Sequence, residues 1–178
     1  FFDAPLKFRP ELIYRLNDFL NNKTLINPIF TLGKMLENKN EKIRVLGADL
    51  WLAYESNLST IQFDYNTFNE VLSNSGKKKK ILPNTPFLEW HYIKNNFFLK
   101  PNQLLKHKKK LSNIKISIIQ SDYDLLCPPQ TSFNFASGLS NCKVIRIANA
   151  GHYISDPGIK EMMKKKKDII KSLAIHKS

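Results

Sequence analysis

An aspartate and a histidine are the residues of this chain whose types and spacing could support general-base chemistry. Asp124 follows a short β-branched run that ends at Gln120, and His152 follows a second run that ends at Ala148. Functional groups of open α/β sheets lie in the loops after the carboxyl ends of strands, so we expect both side chains at one sheet edge. There the carboxylate would hold the imidazole in the tautomer that a general base needs. Taken alone, the pair is more typical of a helix cap and of a structural histidine in a glycine turn.

The elements that would position this pair are predicted from residues 106–178. Residues 114–120 and 142–148 are β-branched runs that predict strands, and residues 128–139 between them predict a helix. A strand, a helix and a strand in this order indicate a right-handed crossover between two parallel strands. A last helix is predicted from residue 155 onward, where a Ser-Asp-Pro sequence is typical of a helix start.

The first 105 residues have helical rather than strand periodicity. Apolar residues recur at three- and four-residue spacing from Glu41 to Thr60, which predicts an amphipathic helix. A second helix is predicted over about residues 87–99. Residues 1–105 therefore form a mostly helical region and residues 106–178 an α/β region, while residues 1–40 match no pattern that assigns them a role.

The composition indicates a globular protein of one or at most two units. Of the 178 residues, 42% are hydrophobic and 24% are charged. No run approaches the ~20 apolar residues of a membrane-spanning helix, so we expect no membrane partner.

The net charge of +13 is concentrated in three lysine tracts. Residues 77–80, 108–110 and 164–167 hold 11 of the 28 basic residues, and without them the net charge is +2. Only four basic residues are arginine, and no aromatic residue is interleaved with the lysines, as nucleic-acid recognition would favour. We therefore predict solvated surface tracts and no nucleic-acid partner.

The cysteines and histidines predict neither a disulfide nor a metal site. Cys127 and Cys142 are the two cysteines, and the strand prediction places them at opposite sheet edges, about 17 Å apart, which is too far for a disulfide. A reducing, cytoplasmic location is the expectation. The four histidines have no ligand spacing with cysteines or acids, so no metal and no cofactor are predicted.

Four segments, in order along residues 41–170, together resemble one enzyme family. Residues 123–130, Tyr-Asp-Leu-Leu-Cys-Pro-Pro-Gln, resemble the triad-aspartate loop of the proline iminopeptidases (prolyl aminopeptidases), which have the α/β-hydrolase fold. Residues 150–159 resemble the histidine loop and final helix of that family. The other two segments are Trp51, Tyr54 and Glu55, similar to its Trp-x-x-Trp-Glu pattern, and Glu89, His91 and Tyr92, similar to its Glu-x-His-Tyr-Phe pattern.

The resemblance implies the C-terminal part of an α/β-hydrolase. Residues 1–105 would be a mostly helical cap, and residues 106–178 the last parallel strands and helices of the core. The serine elbow G-x-S-x-G does not occur in the sequence. Since the order in this fold is nucleophile, acid, histidine, the serine and the oxyanion hole are expected before Phe1. The remaining N-terminal part of the same protein is then a required partner, and this chain alone should be inactive.

The resemblance also implies the role of each candidate residue. His152 would deprotonate the serine and Asp124 would orient His152. Glu55 and Glu89 would bind the free α-ammonium of a peptide substrate that begins with proline. Glu89 lies on a segment that is apolar on nearly every side, so we expect it to be buried and to need a cationic partner. A structural pair with a lysine or arginine is the alternative explanation of Glu89.

Two departures from the family pattern concern the site. Asp122 stands where the family commonly has arginine, which adds a second acid beside Asp124. Ile93 replaces an aromatic residue, so the pocket for the proline ring is expected to differ.

Two other functions remain open at this stage. The first is another cap-bearing α/β-hydrolase, an esterase or epoxide hydrolase, because this fold supports many reactions. The second is a basic binding module or inactive relative whose lysine tracts contact an anionic surface. Glu55 and Glu89 argue for the aminopeptidase, since an uncharged substrate has no use for two acids.

Overall fold

A computed structural model describes residues 3–22, 24, 27–62, 64–74 and 84–165 of the chain. The chain divides into two compact units. The first unit comprises Phe1–Leu58 and Gln62–Gln103, and the second comprises Ser59–Ile61 and Leu104–Ser178. The identification of residues 1–105 as a cap and of residues 106–178 as part of a hydrolase core stays a prediction.

The regular secondary structure of the first unit is entirely helical among its described residues. Its helices are α1 (Asp3–Phe8), α2 (Pro10–Phe19), α3 (Pro28–Leu36), α4 (Glu41–Ser59, whose last residue belongs to the second unit), α5 (Tyr65–Asn74) and α6 (Thr85–Lys94), followed by a 3-10 turn at Asn96–Phe98. The helix predicted over residues 41–60 is confirmed as α4. A proline begins α2 and α3, where its fixed φ suits the first helical turn.

The helices of the first unit pack through large apolar side chains. Trp51 and Tyr54 of α4 are fully buried, and Trp90 of α6 is almost fully buried. The rings of Trp51 and Trp90 meet edge to face, with centroids 6.5 Å apart. A Cβ atom on Gly33 of α3 would lie 2.3 Å from the Trp90 ring, so a glycine is needed where α3 meets α6.

The helix predicted over residues 87–99 ends earlier than expected. The α-helix stops at Lys94, and Asn96, Phe97 and Phe98 have positive φ angles near 50°. Apolar spacing continues through this segment, but a left-handed backbone interrupts the helical hydrogen bonds that the spacing predicted.

The second unit has the predicted strand, helix and strand. Its elements are α7 (Gln103–His107, whose first residue belongs to the first unit), a 3-10 helix (Lys108–Leu111), β1 (Ile116–Ser121), α8 (Pro129–Ala136), β2 (Cys142–Ile147) and α9 (residues 157–165). The two strands pair in parallel, from Ile116 opposite Cys142 to Ser121 opposite Ile147. The parallel pair is thus confirmed, and the predicted last helix is present as far as residue 165, beyond which it lies outside the described residues.

A small apolar core joins the strands to α9. Ile147, Ala150 and Ile159 are buried, and Ile119 and Ile145, which face each other in the strand register, pack against them. This core fixes the ends of β1 and β2, where the candidate residues lie.

The lysine tracts are only partly described. Residues 77–80 and 166–167 lie outside the described residues. In the tract 108–110, the ammonium of Lys108 donates to the carbonyls of Asn134 (2.9 Å) and Phe135 (3.2 Å) at the end of α8. Lys108 therefore satisfies unpaired helix carbonyls, a structural role that its place in a basic tract did not indicate.

Nothing among the described helices combines the length and the apolar character that crossing a membrane requires.

Candidate functional site

The loops after β1 and β2 bring Asp124 and His152 together. The Nδ1 atom of His152 lies 2.9 Å from Oδ2 of Asp124. Asp124 is buried, whereas the side chain of His152 is 40% exposed. When the imidazole is neutral, the hydrogen bond to the carboxylate places its proton on Nδ1, and Nε2 becomes the basic atom. An exposed ring with a basic Nε2 can take a proton from a bound nucleophile.

The carboxylate of Asp124 is held from its other side by the backbone of its own loop. Oδ1 accepts the N–H groups of Leu126 (3.0 Å) and Cys127 (2.7 Å). This turn is the cap-like arrangement that the isolated sequence pattern indicated. The contact with His152 is present as well, so the two interpretations of Asp124 are compatible: one oxygen shapes the loop and the other meets the imidazole.

Gln120, at the end of β1, supports the same loop from below. Its buried side-chain amide donates to the carbonyls of Ser121 (3.0 Å) and Cys127 (3.1 Å), and its oxygen accepts the hydroxyl of Ser132. No sequence motif identified Gln120 as part of the candidate site. The sequence feature that could have indicated Gln120 is a long polar residue at the end of a β-branched run.

The backbone of the histidine loop is fixed by two hydrogen bonds. The Gly151 N–H donates to Oδ2 of Asp156 (2.7 Å), which precedes α9, and the His152 N–H donates to the carbonyl of Ser59 (2.9 Å), the last residue of α4. The Tyr123 N–H donates to the carbonyl of Ala150 (3.1 Å) and so links the two loops directly. Asp156 was expected at a helix start, but nothing in the sequence predicted its contact with Gly151.

Asp122, the extra acid beside Asp124, has its own partner. Its carboxylate accepts two hydrogen bonds from the Arg146 guanidinium, at 2.9 and 3.0 Å. The Asp122 carboxylate raises the pKa of Arg146. The charge of Asp122 is thereby compensated by a bidentate ion pair.

Cys127 adds a third potential ligand to the pair. One ligand atom each from Asp124, Cys127 and His152 lies within 4.8 Å of the others. Partial desolvation by the surrounding loop, and to a lesser extent the charge of Asp124, raise the pKa of the thiol of Cys127, an otherwise exposed residue. Linear spacing did not indicate this group, because α8 and β2 separate His152 from the other two residues in the sequence. Both Cys127 and Cys142 are free thiols.

The expectation that Glu89 is buried is wrong, since its side chain is half-buried. Residues on several sides of α6 are apolar, but Leu88 and Tyr92 are exposed, and Pro86 and Trp90 make up its buried face. Oε2 of Glu89 accepts the indole N–H of Trp51 at 2.6 Å. Among the described residues, a neutral donor thus holds the carboxylate, where the alternative explanation expected a lysine or an arginine.

Glu55 is half-buried on α4, four residues after Trp51. Residues at this spacing lie on the same face of a helix. Since Trp51 also contacts Glu89, we infer that both glutamates border this tryptophan. Ile93, the other departure from the family pattern, is also half-buried.

Several curated proteins are similar in sequence to this chain. A Mycoplasma pneumoniae protein provisionally named as a proline iminopeptidase is 25% identical over 135 residues, which are 74% of this chain and 42% of that protein. A proline iminopeptidase of Arabidopsis thaliana is 32% identical over 73 residues, 40% of this chain and 19% of that protein. A proline iminopeptidase of Xylella fastidiosa is 22% identical over 124 residues, 70% of this chain and 38% of that protein. No protein-family model matches the chain.

The predicted resemblance to proline iminopeptidases is confirmed by these similarities. The chain spans about two fifths of the length of the Mycoplasma pneumoniae and Xylella fastidiosa proteins, 42% and 38%. The names of the relatives support a hydrolase of the aminopeptidase type at the level of the family.

Proposed function

We propose that this chain is the C-terminal part of a serine-type proline iminopeptidase, in which His152 is the general base and Asp124 orients it. The single observation that carries the proposal is the 2.9 Å contact between Nδ1 of His152 and Oδ2 of Asp124. The sequence similarity to named proline iminopeptidases supports the choice of reaction among the many that such a pair could serve.

The structural support for general-base catalysis is that the two carboxylate oxygens of Asp124 have different partners. The backbone donors on Oδ1 hold the carboxylate in place, while Oδ2 favours the proton on Nδ1 of the imidazole. His152 then accepts the serine proton at Nε2 and passes it to the leaving amine. The carboxylate stabilises the imidazolium that forms between these two steps.

The proposal assigns the substrate's α-ammonium to Glu55 and Glu89. The indole N–H of Trp51 occupies one position on Oε2 of Glu89. A carboxylate has about four acceptor positions, so it has capacity for a substrate cation as well. Binding a free ammonium explains why such an enzyme would act at the N-terminal residue and not within a peptide chain.

The remaining parts of the proposal concern the whole protein. The serine nucleophile and the oxyanion hole come from a segment that precedes this sequence, residues 1–105 form a cap, and residues 106–178 complete an α/β-hydrolase core. The substrate is a peptide with a free N-terminal proline, and the location is cytoplasmic, in keeping with the free thiols of Cys127 and Cys142.

The test uses the full-length protein and a chromogenic proline amide. We expect His152→Ala to lower kcat by about 10⁴-fold or more, as loss of a triad histidine does. His107→Ala is the matched control, because His107 is exposed at the end of α7 and lies outside the candidate site. Hydrolysis by His152→Ala at the wild-type rate would contradict the proposal.

A second comparison tests the ammonium site and separates the aminopeptidase from an esterase. We expect Glu89→Gln to lower kcat/KM for a proline amide by about 10- to 100-fold, the value of a charged hydrogen bond. The same variant should leave cleavage of an ester without an amino group unchanged. Glu70→Gln removes an exposed charge of α5, elsewhere in the helical unit, and should affect neither rate. Equal losses on both substrates would argue against an ammonium site.

A further inference from the structure

We propose that Asp124, Cys127 and His152 together form an inhibitory binding site for a zinc-type divalent cation. This inference goes beyond the proposed peptidase reaction, in which Cys127 has no part. It rests on the grouping of one carboxylate oxygen, one sulfur and one imidazole nitrogen within 4.8 Å of one another.

The chemistry of the three ligands selects the class of metal ion. Zinc and cobalt accept sulfur, nitrogen and carboxylate oxygen in a four-coordinate site, whereas calcium and magnesium require oxygen ligands. Three protein ligands leave the fourth position to a water molecule. A thiolate in the set further favours zinc, cobalt or cadmium over the hard cations.

The geometry lies close to that of a formed site. Metal–ligand distances of about 2.0 Å for nitrogen and oxygen and about 2.3 Å for sulfur place tetrahedral ligand atoms roughly 3.3–3.7 Å apart. His152 and Asp124 already meet at 2.9 Å. The widest separation in the group therefore has to close by only about 1.5 Å or less, which a side-chain rotation of Cys127 or His152 supplies.

The backbone around the three ligands is already fixed by hydrogen bonds. The Cys127 N–H is bonded to Asp124, and its carbonyl accepts from Gln120. The His152 N–H is bonded to the carbonyl of Ser59. Such outer contacts orient metal ligands and strengthen binding, because less freedom is lost when the ion arrives.

Occupation of this site would compete directly with general-base catalysis. A cation that bridges Asp124 and His152 replaces the hydrogen bond between them, and its positive charge opposes protonation of the imidazole. The ion would thus inhibit a reaction that depends on this pair. The ligand grouping itself does not depend on the reaction, so the cation site and the proposed function can fail separately.

The test is a cobalt titration of the full-length protein, and its readout does not depend on enzyme activity. Cobalt bound to a thiolate gives a charge-transfer absorption band. We expect the band to saturate at one cobalt per chain and to disappear when zinc is added in competition. It should be absent in Cys127→Ser and present in Cys142→Ser, the matched loss of the other free thiol. Asp124→Asn should bind cobalt at least about 10-fold more weakly, since even outer partners of a metal site contribute that much.

Three results would overturn the site. These are the absence of a thiolate–cobalt band at saturating cobalt, a band that persists in Cys127→Ser, and a band that is lost only in Cys142→Ser. Circular dichroism of each variant verifies its fold, and the exposed position of Cys127 makes the serine replacement mild.

An activity measurement on the full-length protein then separates the two proposals. For each variant, the rate with zinc is divided by its own zinc-free rate. We expect inhibition by zinc to be at least about 10-fold weaker in Cys127→Ser than in Cys142→Ser. A full-length protein without peptidase activity would refute the proposed function, while the cobalt band would still decide the metal site. Equal inhibition of both variants would show that zinc acts elsewhere.

Discussion

Gly151 packs so closely against Ser59 that a Cβ atom at residue 151 would lie 2.4 Å from the Ser59 carbonyl oxygen. The same oxygen accepts the N–H of His152. The glycine before the histidine is therefore required by a close backbone approach rather than by an unusual φ angle. One carbonyl at the end of α4 both excludes a side chain from residue 151 and anchors residue 152.

We predict that Gly151→Ala destabilises the chain by about 1–3 kcal/mol, the usual cost of forcing an extra carbon into a packed site. The neighbour is backbone and cannot rotate away, so the histidine loop has to move. The unfolding free energy from urea denaturation measures the loss, and amide hydrogen exchange at His152 should become faster.

Gly138→Ala is the matched control for this prediction. No atom lies within 4 Å of a Cβ at residue 138, but its φ of +75° makes alanine strained by about 1 kcal/mol. This variant should lose stability without changing exchange at His152. If both variants accelerate exchange at His152 equally, Ser59 does not anchor the loop.

Asp156 is predicted to act as a positioning residue for His152. Its carboxylate holds the Gly151 N–H at 2.7 Å. We expect Asp156→Ala to free this amide and to lower kcat of the full-length protein more than it raises KM, because the base is misplaced while substrate contacts remain. Asp156→Asn keeps an acceptor oxygen and should restore most of the rate. If the asparagine and alanine variants are equally impaired, the hydrogen bond to Gly151 does not explain the effect.

Local sequence patterns predicted the framework of the site well. β-branched runs gave β1 and β2, and their parallel pairing explains why loops at residues 124 and 152 meet. These features depend on hydrophobic periodicity and on strand direction, which short segments of sequence determine. To predict that Asp124 and His152 lie close together, only one further rule was needed: the carboxyl ends of parallel strands lie at the same edge of a sheet.

The supporting contacts could not be predicted in this way. The carbonyl of Ser59 accepts the N–H of His152, a residue that is far from it in the sequence. The type of the residue at position 59 does not indicate which amide its backbone carbonyl will accept. The burial of Glu89 was overestimated for a related reason. When apolar residues surround a helix, periodicity does not identify the face that is buried, and only tertiary packing makes that choice.

The ion pair between Glu37 and Lys94 provides a prediction about pH. Glu37 caps the end of α3, and its hydrogen bond with Lys94 of α6 lowers the pKa of Glu37 below its usual 4.5. A carboxylate with a lowered folded-state pKa stabilises the fold above pH 4.5, and this contribution is lost as the pH falls through the lowered value. Both side chains are 40–46% exposed, so the contribution is below about 1 kcal/mol.

We therefore expect Lys94→Gln to be slightly less stable than the wild type at pH 7, and we expect this difference in stability to be smaller at pH 3. Urea denaturation at both pH values measures the difference, and high salt should reduce it at pH 7. Lys143→Gln removes an exposed lysine of β2 and serves as the control for the change in net charge. A stability difference that grows as the pH falls would contradict the assigned ion pair.

Trp51 gives the most specific test of the proposed ammonium site. Its indole donates to Glu89, so Trp51→Phe removes the donor and keeps most of the buried aromatic volume. The carboxylate of Glu89 is then less well oriented, and we expect KM for a proline amide to rise several-fold while kcat changes little. For an ester that lacks an amino group, neither constant should change, because no ammonium has to be bound. A fall in kcat on both substrates would instead show that Trp51 acts through general packing of the helical unit. In that case the orientation of Glu89 by Trp51 would not contribute to substrate binding.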